Sequence, residues 1–417
     1  GLRMAACGCD TPDVTLIPYE EALQNLLDHA QPVADIERVN IVDALNRILA
    51  EDLTSTINVP PAANTSMDGY AIRTADVNAH GMTRLLVTQR IPAGNAGQII
   101  EPGTAARIFT GAPIPEAADA VIMQEQVTAE GDFMSFDASV SKGQNIREAG
   151  EDITVDQCIL SKGKQLLAQD LGLAASIGHG QINVRRKIRV GIFFTGDELV
   201  EPGNPLAAGK IYDSNRYTLT GLLQSMGCEI VDLGIVGDTL EQTRKALTEA
   251  SQDTDLVITS GGVSVGEEDY VRIALEQLGQ LNMWRVKIKP GKPLAFGMVG
   301  DTAFFGLPGN PVSVFATFCL FVSPYLKSLQ GRKETLPKAV SVTAGFEWTK
   351  PDSRKEFARA RLSRDQNNRA IAELYPNQSS GVLMSTSWAE GFVVIPEDSR
   401  INTGDSLDYY SFTEMLG

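Results

Sequence analysis

The stretch that decides the fold runs from Asp255 to Pro311, and it opens with DLVITS (255–260) followed directly by GGVSVG (261–266). The first run is short, apolar and rich in β-branched residues, which predicts a buried strand. Gly261 and Gly262 then permit backbone conformations that other residues resist, and they let main-chain N–H groups approach a ligand. The pattern therefore predicts a strand that ends in an anion-binding turn.

Charged residues surround this turn. The acidic run after it ends at Asp269, and Ser264 within the turn is a further candidate ligand-binding residue. Carboxylates beside an anion cradle suit a phosphate that is held through a hard cation such as Mg²⁺. Lys287, Lys289 and Lys292 then crowd around two prolines. This rigid basic segment is expected to hold more phosphate or another oxyanion.

A second turn between a strand and a helix closes the stretch. Thr302–Phe305 predicts a strand, and LPGNP (307–311) leads into an apolar helix whose N-terminus favours anions. Taken singly, a Gly-Gly pair after a strand is usually a turn, and a lysine-rich loop is usually solvated. At consecutive strand ends of one α/β unit they indicate a ligand crevice, because open α/β sheets bind ligands at the carboxyl ends of their strands.

Strands and helices alternate through residues 187–330, which predicts βαβ units and a mainly parallel sheet. Glu198 and Asp238 follow two further predicted strands of this region. Together with Asp269 they would form an acidic cluster at one edge of the sheet, where unpaired like charges repel. Binding of Mg²⁺ or a proton-transfer role would explain such a cluster.

The rest of the chain divides into regions with different sequence patterns. Tyr19–His29 and Ile41–Glu51 have apolar residues at helical spacing, whereas residues 60–152 carry short β-like runs separated by Gly and Pro. A helix predicted at Gln169–Ser176 returns the chain to the helical region, so the β domain is an insertion. Residues 333–417 turn to β again and predict a small barrel or sandwich. The predicted domains are a helical linker domain (1–55 and 153–186), an inserted β domain (56–152), an α/β domain (187–332) and a C-terminal β domain (333–417).

Three loops outside the α/β domain carry polar side chains. NTSMDGY includes Asp68, RIFTGAP includes Thr110, and NQSSG includes Ser380. Turn chemistry explains each loop when it is taken alone, because Asn, Asp, Ser, Thr and Gly are common in turns.

Composition limits the function. The net charge of −16 argues against nucleic acid or an anionic membrane as the main partner. Three histidines, no GxxxxGK[ST] loop and no GxGxxG turn argue against histidine-based triads, P-loop hydrolases and dinucleotide binding. The most hydrophobic window, Val312–Leu326, is too short to span a bilayer and predicts a buried helix. With no visible secretory signal and five scattered cysteines, the cytoplasm is the expected location.

The motifs, taken in order, resemble a known family. They are SMDGYA (66–71), TGAPIP (110–115), REAGED (147–152), TGDEL (195–199), YDSN (212–215), ITSGGVSVGEEDY (258–270), KIKPGKP (287–293) and GLPGNPVS (306–313). The combination resembles the molybdopterin molybdenumtransferase family (MoeA type), which is similar to the gephyrin E domain, over nearly the whole chain. TGDEL and SGGVSVG are also shared with the molybdopterin adenylyltransferases (MogA type), whereas SMDGY, GED and the C-terminal segment separate the two families.

The resemblance implies a fold and an activity. The α/β domain would be a doubly wound, MogA-like molybdopterin-binding domain, and the C-terminal domain would be a small β barrel. The family inserts molybdenum from molybdate into adenylylated molybdopterin and releases AMP, with Mg²⁺ or a similar divalent cation. Its members are homodimers whose active crevice lies between the MogA-like domain of one subunit and the β domain of the other. A molybdopterin adenylyltransferase is a candidate partner protein.

The matching positions supply the candidate site residues. The candidate catalytic residues are Asp68, Thr110, Glu198, Asp238 and Asp269, of which the last three would also hold the metal and the first two would come from the second subunit. The candidate substrate-binding residues are Arg147, Asp152, Gly261, Gly262, Ser264, Arg285, Lys287, Lys289, Lys292, Pro308, Pro311 and Ser380. The glycines would cradle phosphate, and the lysines would balance the charge of phosphate and molybdate.

Two rival functions remain at this point. The first is the neighbouring reaction, adenylylation of molybdopterin by ATP, against which the SMDGY and GED segments argue. The second is a non-catalytic scaffold of the gephyrin kind, against which the retained acidic residues argue.

Overall fold

The computed structural model describes residues 16–261, 270–291 and 293–417. Its centre is a six-stranded sheet in the α/β domain, and four adjacent strands of that sheet are parallel, as predicted. The other two strands are antiparallel and form the opposite edge. In order across the sheet the strands are Glu229–Val236, Arg189–Thr195, Leu256–Ser260, Thr302–Leu307, Pro293–Val299 and Gln280–Arg285.

Helices cover both faces of this sheet, which explains why Leu256–Ser260 is buried along its whole length. Successive residues of a strand point to opposite faces. Phe193 accordingly packs with the core of the helices Leu240–Ala250 and Tyr270–Leu278, whereas Phe194 belongs to the core on the other face. The alternation of apolar residues along one strand therefore supplies both cores.

The second face is covered by Asn215–Ser225 and by a continuous helix, Pro311–Leu329, which contains a π-helical turn at Phe318–Val322. This helix is long and apolar enough to cross a membrane, and 89% of its most apolar 18-residue window is buried inside the protein. The prediction of a buried helix is confirmed. The statement that the segment is too short to span a bilayer was wrong, because the helix extends beyond the apolar window on both sides.

The linker region contains less helix than its apolar spacing predicts. Ile41–Glu51 is not a helix: only Ile41–Asp43 forms a 3₁₀ turn, and Asn46 has a φ of 64°, a left-handed conformation that ends any helix. Leu49 instead forms a β-bridge to Val184 and is buried. The remaining elements of the region are strands Ile36–Asn40, Leu53–Thr54, Cys158–Leu160 and Gln181–Arg185, and the helix Ala168–Ser176.

The helix predicted at Tyr19–His29 is present at Tyr19–Leu27. Its buried residues Ala22, Leu23 and Leu26 join the large core of the α/β domain rather than that of the linker region. The amphipathic pattern therefore predicted the helix correctly, whereas tertiary contacts decide which core its apolar face joins.

Residues 69–136 form a second six-stranded sheet whose pairs are antiparallel except for one. Its strands, in order across the sheet, are Ala120–Met123, Gly69–Ile72, Thr104–Ile108, Thr83–Ile91, Phe133–Phe136 and Thr128–Glu130. A short extra pair, Asn64–Thr65 with Ile146–Arg147, joins the beginning and the end of the domain.

The C-terminal region is a barrel. Five strands pair in sequence around it, and the barrel closes because Gly391–Ile395 pairs with Lys355–Arg364 as well as with Ser406–Ser411. In order they are Lys355–Arg364, Ala370–Leu374, Val340–Ala344, Ser406–Ser411 and Gly391–Ile395, and two short helices, Met384–Trp388 and Phe412–Leu416, accompany them. The strand Ile288–Lys289 of the α/β domain adds in parallel to Lys355 and Glu356, which ties the two domains together.

Candidate functional site

The carboxyl ends of the four parallel strands lie side by side, as predicted. Thr195 pairs with Val236, and Ser260 pairs with both Phe194 and Leu307. Gly261, directly after this edge, has a φ of +81°, and its N–H donates to the carbonyl of Leu307 (3.1 Å). A left-handed φ of this kind favours glycine.

Asn215, in the YDSN segment, joins the two turns of this edge. Its Nδ2 donates to Ser260 Oγ (3.3 Å) and to the carbonyl of Gly309 (2.9 Å). Its Oδ1 is buried and has no hydrogen-bond partner among the residues that the structure describes.

The predicted acidic cluster is only partly visible. Glu198 and Asp238 are exposed and follow neighbouring strands, so both leave the sheet at the same edge. Gly196 provides room for Glu198, because a Cβ there would lie 2.7 Å from Glu198 Oε1. Asp269, Gly262, Ser264 and Lys292 lie outside the described residues. Within the described part of the chain, no three His, Cys, Asp or Glu side chains form a group that could hold a metal ion.

A cleft of about 880 Å³ lies between this edge of the sheet and the C-terminal barrel. The α/β domain contributes the turns at Gly261 and at 308–310, together with the Lys289–Gly291 segment. The barrel contributes Trp348, Arg354, Glu356 and the loop 378–380. Predicted site residues Gly261, Lys289, Pro308 and Ser380 are thereby brought to one cleft.

The wall at Lys289–Gly291 is built tightly. Gly291 has a φ of +104°, and a Cβ on it would lie 2.8 Å from Thr317 Oγ1 in the helix behind it. Both features select glycine. The Lys289–Pro290 peptide bond is cis.

The charged side chains of the cleft come from both domains. Arg354 donates to Asp352 Oδ1 from its Nε (3.2 Å) and from its main-chain N–H (2.8 Å). These two hydrogen bonds hold the pKa of the Asp352 carboxyl below its usual range, with a further contribution from the charge of Lys289. Glu356 is 3% exposed, and burial raises the pKa of its carboxyl although Lys289 opposes the shift. Lys289, Arg354 and the buried carboxyl of Glu356 therefore line the same space.

Arg359, which sequence reasoning missed, holds the loop of this cleft in place. It is 0% exposed, its Nε donates to Ser385 Oγ (3.0 Å), and its Nη2 donates to the carbonyl of Ser379 (3.1 Å). Its Nη1 is buried and has no partner among the described residues, and burial lowers the guanidinium pKa to about 10. Gln378 Oε1 accepts from the Arg359 N–H (2.9 Å). Arg359 therefore holds the loop through both its side chain and its main-chain N–H.

The loop is also bound to the α/β domain, because the N–H of Val312 donates to the carbonyl of Ser380 (3.1 Å). The sequence signal for Arg359 was an arginine within an apolar strand, FARARL (357–362). Strand alternation places Arg359 on the same side as Phe357, whose ring packs into the core shared with the α/β domain.

The predicted residues of the inserted β domain form a separate surface. Thr110 donates to Asp68 Oδ1 from both its N–H (2.8 Å) and its hydroxyl (2.9 Å). These bonds lower the pKa of the Asp68 carboxyl. Arg147 and Asp152 are exposed, and Arg147 pairs with Asn64 at the start of the same loop. None of the described residues that line the 880 Å³ cleft belongs to this domain.

Three other predicted residues have structural roles. The carbonyl of Arg285 accepts from the N–H of Ile17 (2.9 Å), and the N–H of Lys287 donates to the carbonyl of Ile17 (2.7 Å). Pro311 is the first residue of the long helix. None of these three residues is among the described residues that line the cleft.

Comparison with known proteins covers almost the whole chain. Residues 17–178 match the MoeA N-terminal region (domain I and II), residues 191–328 match the probable molybdopterin binding domain, and residues 341–412 match the MoeA C-terminal region (domain IV). The molybdopterin molybdenumtransferase of Haemophilus influenzae is 40% identical over 406 residues, which cover 96% of this chain and 100% of that protein.

Further relatives agree. The molybdopterin molybdenumtransferase of Bacillus subtilis is 33% identical over 93% of this chain and 91% of that protein. The crystal structure of the molybdopterin biosynthesis moeA protein from Pyrococcus horikoshii OT3 superposes with a TM-score of 0.82 at 32% identity, covering 95% of this chain and 100% of that one. The motifs, the domains and these full-length similarities lead to one conclusion: the chain belongs to the molybdopterin molybdenumtransferase (MoeA) family.

Proposed function

We propose that this protein inserts molybdenum from molybdate into adenylylated molybdopterin and releases AMP. Membership of the MoeA family makes it a transferase of molybdenum cofactor biosynthesis. The use of the adenylylated pterin, rather than free molybdopterin, is the part that needs testing. The observation that carries the proposal is the cleft in which the carboxyl edge of the sheet meets Lys289, Arg354 and Ser380.

The cleft suits a tetrahedral oxyanion such as molybdate. Lys289 and Arg354 supply positive charge from two different domains, and Ser379 and Ser380 supply hydroxyl and main-chain groups between them. Charge-assisted hydrogen bonds of this kind are stronger than neutral ones. An ionised Glu356 would repel the anion, whereas a protonated Glu356 would donate a hydrogen bond to it, and burial raises the pKa of this carboxyl in that direction.

The turns at Gly261 and 308–310 would bind the phosphates of the adenylylated pterin. Gly261 lies directly after a parallel strand, where main-chain N–H groups can approach an anion. Glu198 and Asp238 would hold Mg²⁺ at the same edge, since carboxylate oxygens are the ligands that this hard cation prefers. The bound cation would neutralise charge on the pyrophosphate. The two described carboxylates supply part of a ligand set, and Asp269 is the proposed third member.

A second copy of the chain would complete the site. Asp68 and Thr110 form an exposed surface in the inserted β domain and do not line the cleft of their own chain. In the proposed homodimer the β domain of one subunit faces the cleft of the other.

The activity is tested by incubating the full chain with adenylylated molybdopterin, Mg²⁺ and molybdate and measuring AMP. Lys289→Met and Arg354→Met should each lower molybdate-dependent AMP release by about tenfold or more, because each removes a cation from the oxyanion site. Lys245→Met is the matched control, since Lys245 is exposed on the helix Leu240–Ala250. Equal activity of Lys289→Met, Arg354→Met and the control would contradict this site.

The same assay distinguishes the proposed function from the two rival functions, adenylylation of molybdopterin and a non-catalytic scaffold. ATP turnover with free molybdopterin in the absence of molybdate would favour adenylylation instead. Absence of any turnover in a correctly folded dimer would favour a scaffold. A cytoplasmic location belongs to the same proposal, and the burial of the one long apolar helix found in the described part of the chain supports it.

A further inference from the structure

A second cleft, of about 680 Å³, lies between the linker region and the end of the long helix. It is lined by residues 159–165 and 167 of the linker region, by Lys327 and residues 332–334 and 336 after the helix, and by residues 413, 414 and 417. We call it the basic cleft. It shares no lining residue with the 880 Å³ cleft described above.

The side chains that line the basic cleft are mostly cationic, although the chain as a whole has a net charge of −16. Its lining includes five cationic and two acidic residues; the acidic ones are Glu334 and Glu414, and the cationic ones are Lys162, Lys164, Lys327, Arg332 and Lys333. Lys164 is paired with Asp170 (2.9 Å). Within the described part of the chain, the other four cations have no carboxylate side chain within 4.0 Å.

Lys327 is the most unusual of these cations because it is 5% exposed. Its Nζ makes one long hydrogen bond, to the main-chain oxygen of Glu414 at 3.5 Å, although an ammonium has three donors. Burial lowers the pKa of its amine to about 8. Glu414 attracts this ammonium without a side-chain contact, and a bound anion would further offset the cost of its desolvation.

Arg332 lies beside it, and its guanidinium donates to side-chain amides and to the oxygen of Gly417. Its Nε donates to Gln330 Oε1 (2.7 Å) and its Nη1 to the main-chain oxygen of Gly417 (2.8 Å). These contacts fix the plane of the guanidinium without an acidic side chain to neutralise it. Burial lowers the pKa of Arg332 to about 10. Two partly desolvated cations are therefore preorganised on one wall of the cleft.

We propose that the basic cleft binds a phosphorylated small molecule that carries at least two negative charges. The concave shape and the volume are in the range of small-molecule sites rather than of flat protein interfaces. Phosphate oxygens match several lysines and an arginine at once. Because the cleft is lined by the linker region and by the end of the long helix, the ligand would also fix the linker region against the α/β domain. This site is separate from the proposed molybdenum insertion.

The test is isothermal titration calorimetry of the full chain with inorganic pyrophosphate at constant ionic strength. The Lys289→Met background is used so that the 880 Å³ cleft contributes little to the signal. Lys327→Met and Arg332→Gln should each weaken binding by about tenfold or more. Lys245→Met, which removes an exposed lysine that does not line the basic cleft, is the matched control and should leave binding unchanged.

Several results would overturn the proposal. Unchanged affinity in Lys327→Met and Arg332→Gln would do so, as would an equal loss in Lys245→Met, which would indicate unspecific attraction by surface charge. No binding of pyrophosphate at millimolar concentration would also contradict it. Tight binding of an acidic peptide with weak binding of pyrophosphate would show that the cleft is a protein-docking surface instead. Circular dichroism of each variant establishes that it is folded.

Discussion

The buried amine of Lys327 makes the stability of the protein depend on pH in a defined way. In the folded protein burial lowers its pKa from 10.5 to about 8. Between these two values the unfolded chain binds the proton and the folded chain does not. The free energy of unfolding therefore rises with pH in this window. Below pH 8 the folded protein must carry a desolvated charge.

The size of the effect follows from the two pKa values. For one group with these values, the free energy of unfolding rises by about 2 to 3 kcal/mol between pH 7 and pH 10. Water that reaches the amine through the cleft reduces this rise, so the expected value is about 1 to 2 kcal/mol. Lys327→Met keeps most of the side-chain volume and removes the titrating group. The variant should be more stable than the wild type at pH 7, and this advantage should shrink towards pH 10.

The assay compares wild type and Lys327→Met by scanning calorimetry at several pH values between 7 and 10. All other titrating groups are shared, so the difference between the two proteins isolates Lys327. The chain has several domains, so the comparison uses the transition that contains the α/β domain. A stability difference that stays constant from pH 7 to pH 10, or a wild type that loses stability relative to the variant as pH rises, would refute the reasoning.

Three further predictions concern the proposed active site. Gly291→Ala should lower molybdate-dependent AMP release, because the positive φ and the close approach of Thr317 leave no room for a Cβ. Gly300 also has a positive φ but has open space around it, so Gly300→Ala should not lower AMP release. Asp68→Asn should impair activity without unfolding the β domain, and mixed dimers with an inactive cleft variant should recover part of it; mixed dimers without activity would contradict the shared site. AMP release by the wild type should fall as pH rises through the raised pKa of Glu356, and Glu356→Gln should lack that dependence; identical pH profiles would exclude the proposed proton at this carboxyl.

Much of the α/β domain was predictable because its signals are local. The run Leu256–Ser260 is β-branched, apolar and followed by glycine, and both the strand and the positive φ of Gly261 are present. The shared edge of four strands followed from the parallel βαβ pattern alone. Motif residues Gly261, Lys289, Pro308 and Ser380 then meet in one cleft.

The predictions from sequence failed where contacts between residues far apart in the chain decide the local structure or the burial of a side chain. The apolar spacing of Ile41–Glu51 is compatible with a helix, but Asn46 turns left-handed and Leu49 pairs with a strand that follows more than a hundred residues later. Periodicity does not contain that information. Arg359 was missed because a single arginine in an apolar strand is usually exposed, and only the packing of the barrel against the α/β domain buries it.

The most direct test of the central claim is a single-turnover measurement with adenylylated molybdopterin bound to the protein in the presence of Mg²⁺. Addition of molybdate should release one equivalent of AMP per occupied site and yield molybdenum bound to the pterin, and Arg354→Met should do neither at a comparable rate. AMP release that is the same with and without molybdate, or molybdenum insertion without AMP release, would contradict the account.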